Sequence, residues 1–378
     1  MINNYNKCSL IANRDGMAWE FASKVCEYIK KREDADLSRK KSAFIDNIVN
    51  TNPEIKDHPL LINLTGSIFD NFRNQDGNSV ELNELKIRKF PDGEHVPIVT
   101  SNIRGSNCYF IHDSNLNPDT WLSQLVTTRD SLRSSSANRI TFVLPYFKFN
   151  RQDRKDRSRT SVNTRVIAEA TDIHNGKILT LDVHSKATEA LYRYATFDGL
   201  LSYTTVVEYL RKECPTILEN LVVVSPDVGG GERAQSLGNR LGISEIVIGY
   251  KIRGESGVEK IHYPTGVDFT NRKILMVDDI IDTGNTYVKA SEEAKRLGAV
   301  EVYVYATHGL FTEGYHAVLH NSDKIFLSDT ITQPFDSRYS FTQVAKSKIT
   351  IIPFTDLFGE AIYRINRNIK RFGLLVFW

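Results

Sequence analysis

The sequence predicts an α/β fold with two domains, each built on a parallel sheet flanked by helices. Short apolar runs are continuous in Val, Ile and Leu, which is typical of strands buried on both faces of a parallel sheet. Amphipathic helical patterns separate these runs along nearly the whole chain, as in α/β proteins. The length of 378 residues favours two domains over one.

The strands and helices follow from the pattern along the chain. Met17, Phe21, Val25 and Ile29 recur about every four residues and predict a helix with one apolar stripe. The stretch YVKASEEAKRLG predicts a helix that stops at Gly298. The predicted strands are residues 8–12, 108–112, 139–147, 177–183, 221–227, 245–251, 272–279, 300–308 and 348–354.

Residues 31–87 interrupt this alternation because they are polar, rich in Asn, Asp and Lys, and only weakly periodic. They predict an insertion after the first strand–helix unit, with a helix over 38–50 and a further short element. We place the two domains at 1–198 and 199–378.

Composition narrows the class of protein. The net charge of +2 gives no overall attraction to nucleic acid or membrane. The N-terminus is too polar for a signal peptide, and no apolar run approaches the roughly 20 residues of a membrane span. The cysteines have no C-x-x-C spacing, which favours a reduced, cytoplasmic protein without a metal–thiolate site. They are Cys8, Cys26, Cys108 and Cys214.

The stretch ILMVDDIIDTGNT places carboxylates beside a turn suited to an anion. Asp278 and Asp279 end a predicted strand, and a helix is expected to start near Thr286. Unpaired N–H groups at a helix start favour phosphate. Thr283 adds a hydroxyl donor, and Gly284 allows close approach to the backbone.

Two carboxylates would repel that phosphate unless a divalent cation or sugar hydroxyls intervened. A phosphate together with a ribose diol satisfies every part of the stretch. The plain alternative is an acidic strand–turn–helix junction whose threonine is only an N-cap.

The segment NRQDRKDRSRT concentrates cations with one amide and two aspartates. Arginine forks suit phosphate oxygens, and a planar guanidinium can stack on a purine. A solvated loop is the plain alternative, and the interleaved aspartates weaken the alternative of a nucleic-acid patch. The basic residues are Arg151, Arg154, Lys155, Arg157 and Arg159.

Three more positions follow strand ends. His184 with Asp227 is a possible magnesium-associated pair, although His is a less usual ligand than oxygen for a hard cation. The glycines at 229–231 allow close approach to phosphate oxygens. Lys251 and Arg253 precede a glycine-containing polar stretch that predicts a mobile loop over 254–266, or simply two solvated cations.

VDDIIDTGNT resembles the signature of the type I phosphoribosyltransferase fold, which holds a ribose 5-phosphate group. That fold serves transferases, regulators and the ribose-phosphate pyrophosphokinases, and the loop alone does not choose among them. Five further stretches resemble the pyrophosphokinases in the family's order. They are KFPDGEHVPI (89–98), LPYFKFNRQDRKDRSRT (144–160), LDVHSKATEALY (181–192), VVVSPDVGGGERAQSLGNRLG (222–242) and ATHGLF (306–311).

The resemblance implies two similar domains and transfer of the β,γ-pyrophosphoryl group of ATP to the C1 hydroxyl of ribose 5-phosphate, with Mg²⁺. It implies Lys251 and Arg253 as catalytic residues on a closing loop, and His184 and Asp227 as metal ligands. It assigns ATP to Phe90, Asp92, Glu94, Arg151, Gln152, Arg154 and His184, the first three acting across a subunit interface. It assigns ribose phosphate to Asp278, Asp279, Asp282, Thr283, Gly284, Asn285 and Thr286. Partners are expected to be ATP, a sugar phosphate and further copies of the chain as a dimer or hexamer, without nucleic acid or membrane.

Three departures from the family qualify this resemblance. Asn285 stands where the family has glycine, so its side chain is expected beside the phosphate. The 31–87 insertion precedes the hairpin that crosses to ATP. Residues 112–120 differ from the family's regulatory segment, so control by phosphate and ADP is not implied. Two alternatives stay open, a larger acceptor such as ADP-ribose and a catalytically silent regulator, although the K-x-R pair and the acidic loop argue against silence.

Overall fold

Two sheets organise the chain in a computed structural model that describes residues 7–51, 53–55, 80–254, 257–333 and 342–369. Within these residues the first sheet is formed by β1 (Cys8–Asn13), β2 (Glu81–Lys89), β3 (His95–Val99), β4 (Asn107–Ile111), β5 (Arg139–Leu144), β6 (Lys177–Leu181) and β7 (Thr196–Leu200). The strand order is β3-β2-β1-β4-β5-β6-β7. Only the β2–β3 pair is antiparallel.

The second sheet is parallel throughout its described strands. Its strands are β8 (Leu221–Ser225), β9 (Ile246–Ile248), β12 (Lys273–Ile281), β13 (Glu301–Gly309), β14 (Lys324–Ser328) and β15 (Ile349–Ile352). They lie in the order β15-β14-β13-β12-β8-β9. A separate antiparallel hairpin is formed by β10 (Tyr250–Gly254) and β11 (Gly257–His262).

Helices cover the sheets and complete the α/β architecture. The described α-helices are α1 (Ala18–Thr51), α2 (Pro118–Ser134), α3 (Asn163–Thr171), α4 (Tyr203–Glu213), α5 (Gly231–Leu241), α6 (Asn285–Arg296), α7 (His316–Asn321), α8 (Thr342–Lys348) and α9 (Thr355–Asn366). Short 3₁₀ turns occur at Pro53–Ile55, Lys186–Leu191, Pro215–Leu218 and Val228–Gly230. In the described part of the chain, no helix has the length and apolar character to cross a membrane.

The α/β prediction is confirmed, and every predicted strand is present. Strand β8 is buried at each position, as its continuous apolar run predicts. The run 139–147 ends early as a strand, at Leu144, because the next residue is Pro145, which cannot donate to the ladder. The run 245–251 divides between β9 and β10.

Other elements differ from the predictions. Strands β7 and β14 were not predicted, and residues 254–266, expected to be a loop, instead contain the whole of β11. Residues 255–256 of that stretch lie outside the described residues. The stretch 89–98 forms the hairpin that its resemblance implies, with the Phe90 N–H donating to the Glu94 carbonyl at 2.8 Å.

The predicted helix over 38–50 is the second half of one long helix, α1. The middle of α1 packs against α9 and its C-cap residue. Arg32 Nε lies 3.1 Å from Glu360 Oε2, and Glu33 pairs with Arg367 at 3.2 Å. One buried core therefore includes side chains from both halves of the chain, such as Leu181 and Ile362. Residues 81–87 of the predicted insertion instead belong to strand β2 of the first sheet. Residues 52 and 56–79 lie outside the described residues, and the domain division near 198 stays a prediction.

Candidate active site

A cavity of about 850 Å³ opens where the carboxyl ends of β8 and β12 face the segments that follow β5 and β6. Open parallel sheets bind ligands at this edge, because loops after neighbouring strands converge there. The cavity combines residues from both halves of the chain. Its predicted site residues are Arg151, Arg154, His184, Asp227, Lys251, Asp278, Asp279, Asp282, Thr283, Gly284 and Thr286.

The acidic pair at the end of β12 is held by one guanidinium. Arg233 Nη1 lies 3.2 Å from Asp278 Oδ1, and Arg233 Nη2 lies 3.2 Å from Asp279 Oδ2. The side chain of Asp279 is only 4% exposed, while those of Asp278 and Arg233 are 15% exposed. The pair is therefore fixed before any ligand binds.

The two neighbouring carboxylates differ in their electrostatics. Burial and the charge of Asp279 raise the pKa of Asp278 above its ordinary value, against the effect of Arg233. Burial would also raise the pKa of Asp279, but the hydrogen bond with His184 and the charge of Arg233 outweigh it and lower that pKa. Asp279 is consequently the more firmly ionised of the two.

His184 joins the two halves of the site. Its Nδ1 lies 2.7 Å from Asp279 Oδ2, and its carbonyl accepts a hydrogen bond from Arg233 Nη2 at 2.9 Å. The segment after β6 is therefore bonded to both the end of β12 and helix α5. The imidazole is still 39% exposed, so it remains accessible from the cavity.

The predicted phosphate turn has the expected backbone. Gly284 has φ +85°, and a Cβ there would collide with Val318, so glycine is required. Helix α6 begins one residue before the predicted start. Asn285 is exposed and is not part of the cavity lining, and the expectation that its side chain lies beside the phosphate stays a prediction.

Asp282 connects this turn to the basic segment. Arg151 Nη1 lies 2.5 Å from Asp282 Oδ2, and Thr312 Oγ1 donates to Asp282 Oδ1 at 2.6 Å. Burial tends to raise the pKa of Asp282, but these two contacts lower it overall. The Arg151 side chain is 53% exposed, so this ion pair is open to solvent.

Lys251 and Asp227 form an ion pair at the cavity wall. Asp227 Oδ1 also accepts the N–H of Gly230 at 3.0 Å. Burial tends to raise the pKa of Asp227, but the hydrogen bond and charge of Lys251 bring it below its ordinary value. Lys251 lies on β10, whereas the side chain of Arg253 lies outside the described residues.

Four predicted ATP contacts do not line this cavity. Phe90, Asp92 and Glu94 are exposed at the turn of the β2–β3 hairpin. The Cζ atom of Arg88 lies 4.9 Å from the centroid of the Phe90 ring, over its face. Gln152 lines a smaller neighbouring pocket of about 400 Å³. The predicted ATP contacts are thus not all gathered in one cavity of the described residues.

The sequence analysis missed Arg233, which makes more contacts to the acidic pair than any predicted residue. Its signal was an arginine in the first turn of a helix that follows a glycine-rich strand end. That pattern places a cation near the edge of the sheet, but the partner carboxylates lie 45 residues further along the chain.

Comparisons with known proteins place the chain among similar sequences and folds. Residues 20–172 match the N-terminal domain of ribose phosphate pyrophosphokinase, and residues 258–375 match the phosphoribosyl synthetase-associated domain. The chain is 33% identical to a ribose-phosphate pyrophosphokinase of Vibrio cholerae over 293 residues, which cover 76% of this chain and 90% of the relative. A relative of the same name from Thermotoga maritima is 30% identical over 295 residues, covering 77% and 90%. The fold is similar to that of a phosphoribosylpyrophosphate synthetase from Mycobacterium smegmatis, with a TM-score of 0.72, 20% identity and coverage of 96% and 99%.

Proposed function

The chain belongs to the ribose-phosphate pyrophosphokinase family, and we propose that it makes phosphoribosyl pyrophosphate. It is a diphosphokinase that transfers the β,γ-pyrophosphoryl group of ATP to the C1 hydroxyl of ribose 5-phosphate and releases AMP. The observation that carries this function is the single cavity in which the basic segment faces the acidic strand end and the phosphate turn.

The acceptor is assigned to the C-terminal half. The turn formed by Thr283, Gly284 and Thr286 would take the 5-phosphate at the start of α6, because the first N–H groups of a helix have no partner within the helix; that of Asn285 donates to Thr283 Oγ1 at 3.4 Å. Asp278 and Asp279 would accept hydrogen bonds from the ribose 2- and 3-hydroxyls. Asp282 supports this turn and receives Arg151, while Asn285 contributes its backbone.

The nucleotide is assigned to the opposite side of the cavity. Arg151 and Arg154 would bind the phosphates and stack on the base, as planar guanidinium groups do. Gln152 would bind from its adjoining pocket. Phe90, Asp92 and Glu94 are exposed and outside the cavity, which supports an assembly in which they reach the adenine of a second copy of the chain.

ATP would bind as its magnesium complex. In the described residues, no cluster of three His, Cys, Asp or Glu side chains could hold a metal ion alone. His184 and Asp227 both line the cavity, and this pair fits an ion that keeps its waters and nucleotide phosphates as further ligands. Bound there, the ion would neutralise phosphate charge, and these residues would orient the triphosphate.

The chemistry is an in-line displacement at the β-phosphorus. The C1 oxygen forms a bond to that phosphorus, the bond to the α,β-bridging oxygen breaks, AMP leaves with that oxygen, and the C1 hydroxyl loses its proton. The protein mainly positions the reactants and neutralises charge. Lys251 and Arg253 would stabilise the charge that builds on the phosphoryl oxygens.

The assay is incubation of the full chain with MgATP and ribose 5-phosphate, followed by mass detection of nucleotides and sugar phosphates. We expect AMP and phosphoribosyl pyrophosphate in equal amounts and no ADP, with ADP-ribose and no acceptor as parallel samples. AMP formed only with ADP-ribose would move the acceptor to that larger molecule. Absence of AMP with every acceptor would contradict the enzyme and favour a silent regulator.

A further inference from the structure

The side chain of Arg233 connects three separate segments around the acceptor end of the cavity. It projects from the first turn of α5 and is only 15% exposed. Its two terminal nitrogens contact Asp278, Asp279 and the carbonyl of His184.

The contacts of Arg233 select one oxygen of each carboxylate. On Asp278, Oδ1 receives both Arg233 Nη1 and the backbone N–H of Asp279. On Asp279, Oδ2 receives Arg233 Nη2 and His184 Nδ1. No N–H group of the described residues donates to Oδ2 of Asp278 or Oδ1 of Asp279, and both residues line the cavity.

A vicinal diol needs two acceptors of this kind. Each hydroxyl donates one hydrogen bond, and a carboxyl oxygen accepts it whether the group is ionised or protonated, most strongly when it is ionised. A planar guanidinium can fix two carboxylates at once, whereas an ammonium group is a single point charge without a fork. The residue type at position 233 therefore matters beyond its charge.

We propose that Arg233 is a positioning residue for the acceptor sugar, which fixes one oxygen each of Asp278 and Asp279 and leaves the other for the 2- and 3-hydroxyls of ribose. This inference rests on the proposed function, since it deepens the assignment of the acceptor site. Arg233 acts through the two carboxylates and does not itself touch the sugar.

Recognition of the diol can be measured without catalysis. We would titrate ribose 5-phosphate and 2-deoxyribose 5-phosphate into the full chain by calorimetry, without ATP. Because a hydrogen bond to a charged group is at stake, the wild type should bind the deoxy sugar more weakly by on the order of 10–100-fold. In Arg233→Lys and Arg233→Met, ribose 5-phosphate should bind nearly as weakly as the deoxy sugar, so that the preference falls below about 3-fold.

Arg240 supplies the matched control on the same helix. It is exposed, bonds the Ser236 carbonyl at 3.1 Å and lies outside the cavity lining. Arg240→Met should keep the wild-type preference between the two sugars. In turnover, Arg233→Lys should raise KM for ribose 5-phosphate about 10-fold or more while KM for ATP changes little.

Equal weakening of both sugars in the Arg233 variants, with the preference unchanged, would overturn the proposal, since a purely structural role predicts that result. Wild-type affinity in both variants would overturn it too. Circular dichroism checks folding: if Arg233→Met unfolds, Arg233→Lys decides, and unfolding of both assigns Arg233 to stability alone. A wild type that prefers ribose 5-phosphate but forms no AMP would refute the proposed reaction and leave this inference standing.

Discussion

The two sides of the cavity differ in how exposed their charged side chains are and in how these side chains are paired. We call Arg233, Asp278, Asp279 and His184 the acidic floor, and Arg151 with Arg154 the basic rim. On the floor, the carboxylates and the guanidinium are at most 15% exposed and bonded to one another. On the rim, Arg151 is 53% exposed and pairs with Asp282 alone, and Arg154 makes no ion pair within the described part of the chain.

This difference indicates how the two substrates are received. Buried charges that have lost water must be paired, so the floor is held in one arrangement and suits a small, defined acceptor. An exposed ion pair contributes only about 0–1 kcal/mol, so Arg151 can leave Asp282 at little cost when phosphates arrive. The hairpin turn around Phe90 is exposed and lies outside the cavity, so the proposed contact of Phe90 with adenine requires a second copy of the chain.

The largest effect on stability is expected from replacing Asp279, a carboxylate of the floor. Replacing Asp282, the carboxylate that pairs with Arg151 of the rim, should cost less. Asp279→Asn removes one partner of a buried, charged network, which should lower the free energy of unfolding by about 3–5 kcal/mol. Asp282→Asn alters a side chain that is 28% exposed and should cost about 1 kcal/mol or less. Chemical denaturation at pH 7 measures both, and equal losses would contradict the distinction between floor and rim.

A Lys251 variant tests whether the catalytic step depends on a residue that belongs to neither the floor nor the rim. Lys251→Ala should lower kcat by on the order of 10²–10³, as loss of one group aimed at developing charge does. KM for ATP and for ribose 5-phosphate should stay within about 3-fold, because floor and rim are intact. Lys260→Ala, on the exposed part of the same hairpin, is the control in steady-state kinetics. Near-normal turnover of Lys251→Ala would remove the proposed role.

Sequence patterns identified the two carboxylates and the histidine of the floor but not Arg233, the residue that holds them together. Asp278 and Asp279 are adjacent near the carboxyl end of a buried strand, so their place at the ligand-binding edge of the second sheet followed from pattern alone. His184 follows a strand of the first sheet, so its contact with Asp279 depends on how the two sheets face each other. Arg233 comes from a helix and its role depends on a tertiary contact, for which local sequence carries little signal. Sequence alone also did not indicate that the side chain of Asn285 is exposed, because that depends on where helix α6 begins.

The same reasoning explains which strands escaped prediction. Strand β7 (TFDGL) contains Asp and Gly and lies at the edge of its sheet, so it lacks a continuous apolar run. Residues 254–266 are polar with glycines, yet they pair locally with β10 and pack against α6. In both places tertiary contacts decide the structure against a weak local preference.

A smaller effect is expected at the rim. Arg151→Ala should raise KM for ATP by on the order of 10-fold, because a charge-assisted hydrogen bond to phosphate is lost. KM for ribose 5-phosphate should change less, and the free energy of unfolding should fall by under about 1 kcal/mol. Arg165→Ala on α3, which removes an exposed pair with Glu169, should leave both KM values unchanged. A larger change for ribose 5-phosphate than for ATP would place Arg151 with the floor.

The smallest effect is expected at His112, a buried histidine that directly follows β4 of the first sheet. His112 is buried, and its Nε2 donates to the Trp121 carbonyl at 2.8 Å. Burial lowers the pKa of His112 from 6.5 to about 4, so the folded chain keeps it neutral where the unfolded chain binds a proton. Stability should therefore fall as pH decreases from 6.5 towards 4, by about 1 kcal/mol for this histidine between pH 6.5 and pH 5.5.

His112→Gln isolates this contribution from that of the second buried histidine, His308, whose pKa burial also lowers to about 4. Gln can still donate to the Trp121 carbonyl but does not titrate, so its stability curve should be flatter than that of the wild type by about 1 kcal/mol over the same interval. Urea unfolding at the two pH values measures the difference. Parallel curves would mean that His112 gains a proton in the folded chain as easily as in the unfolded one. Water would then reach the buried residues around His112. The rim would differ from the floor in the packing beneath it as well as in its exposure.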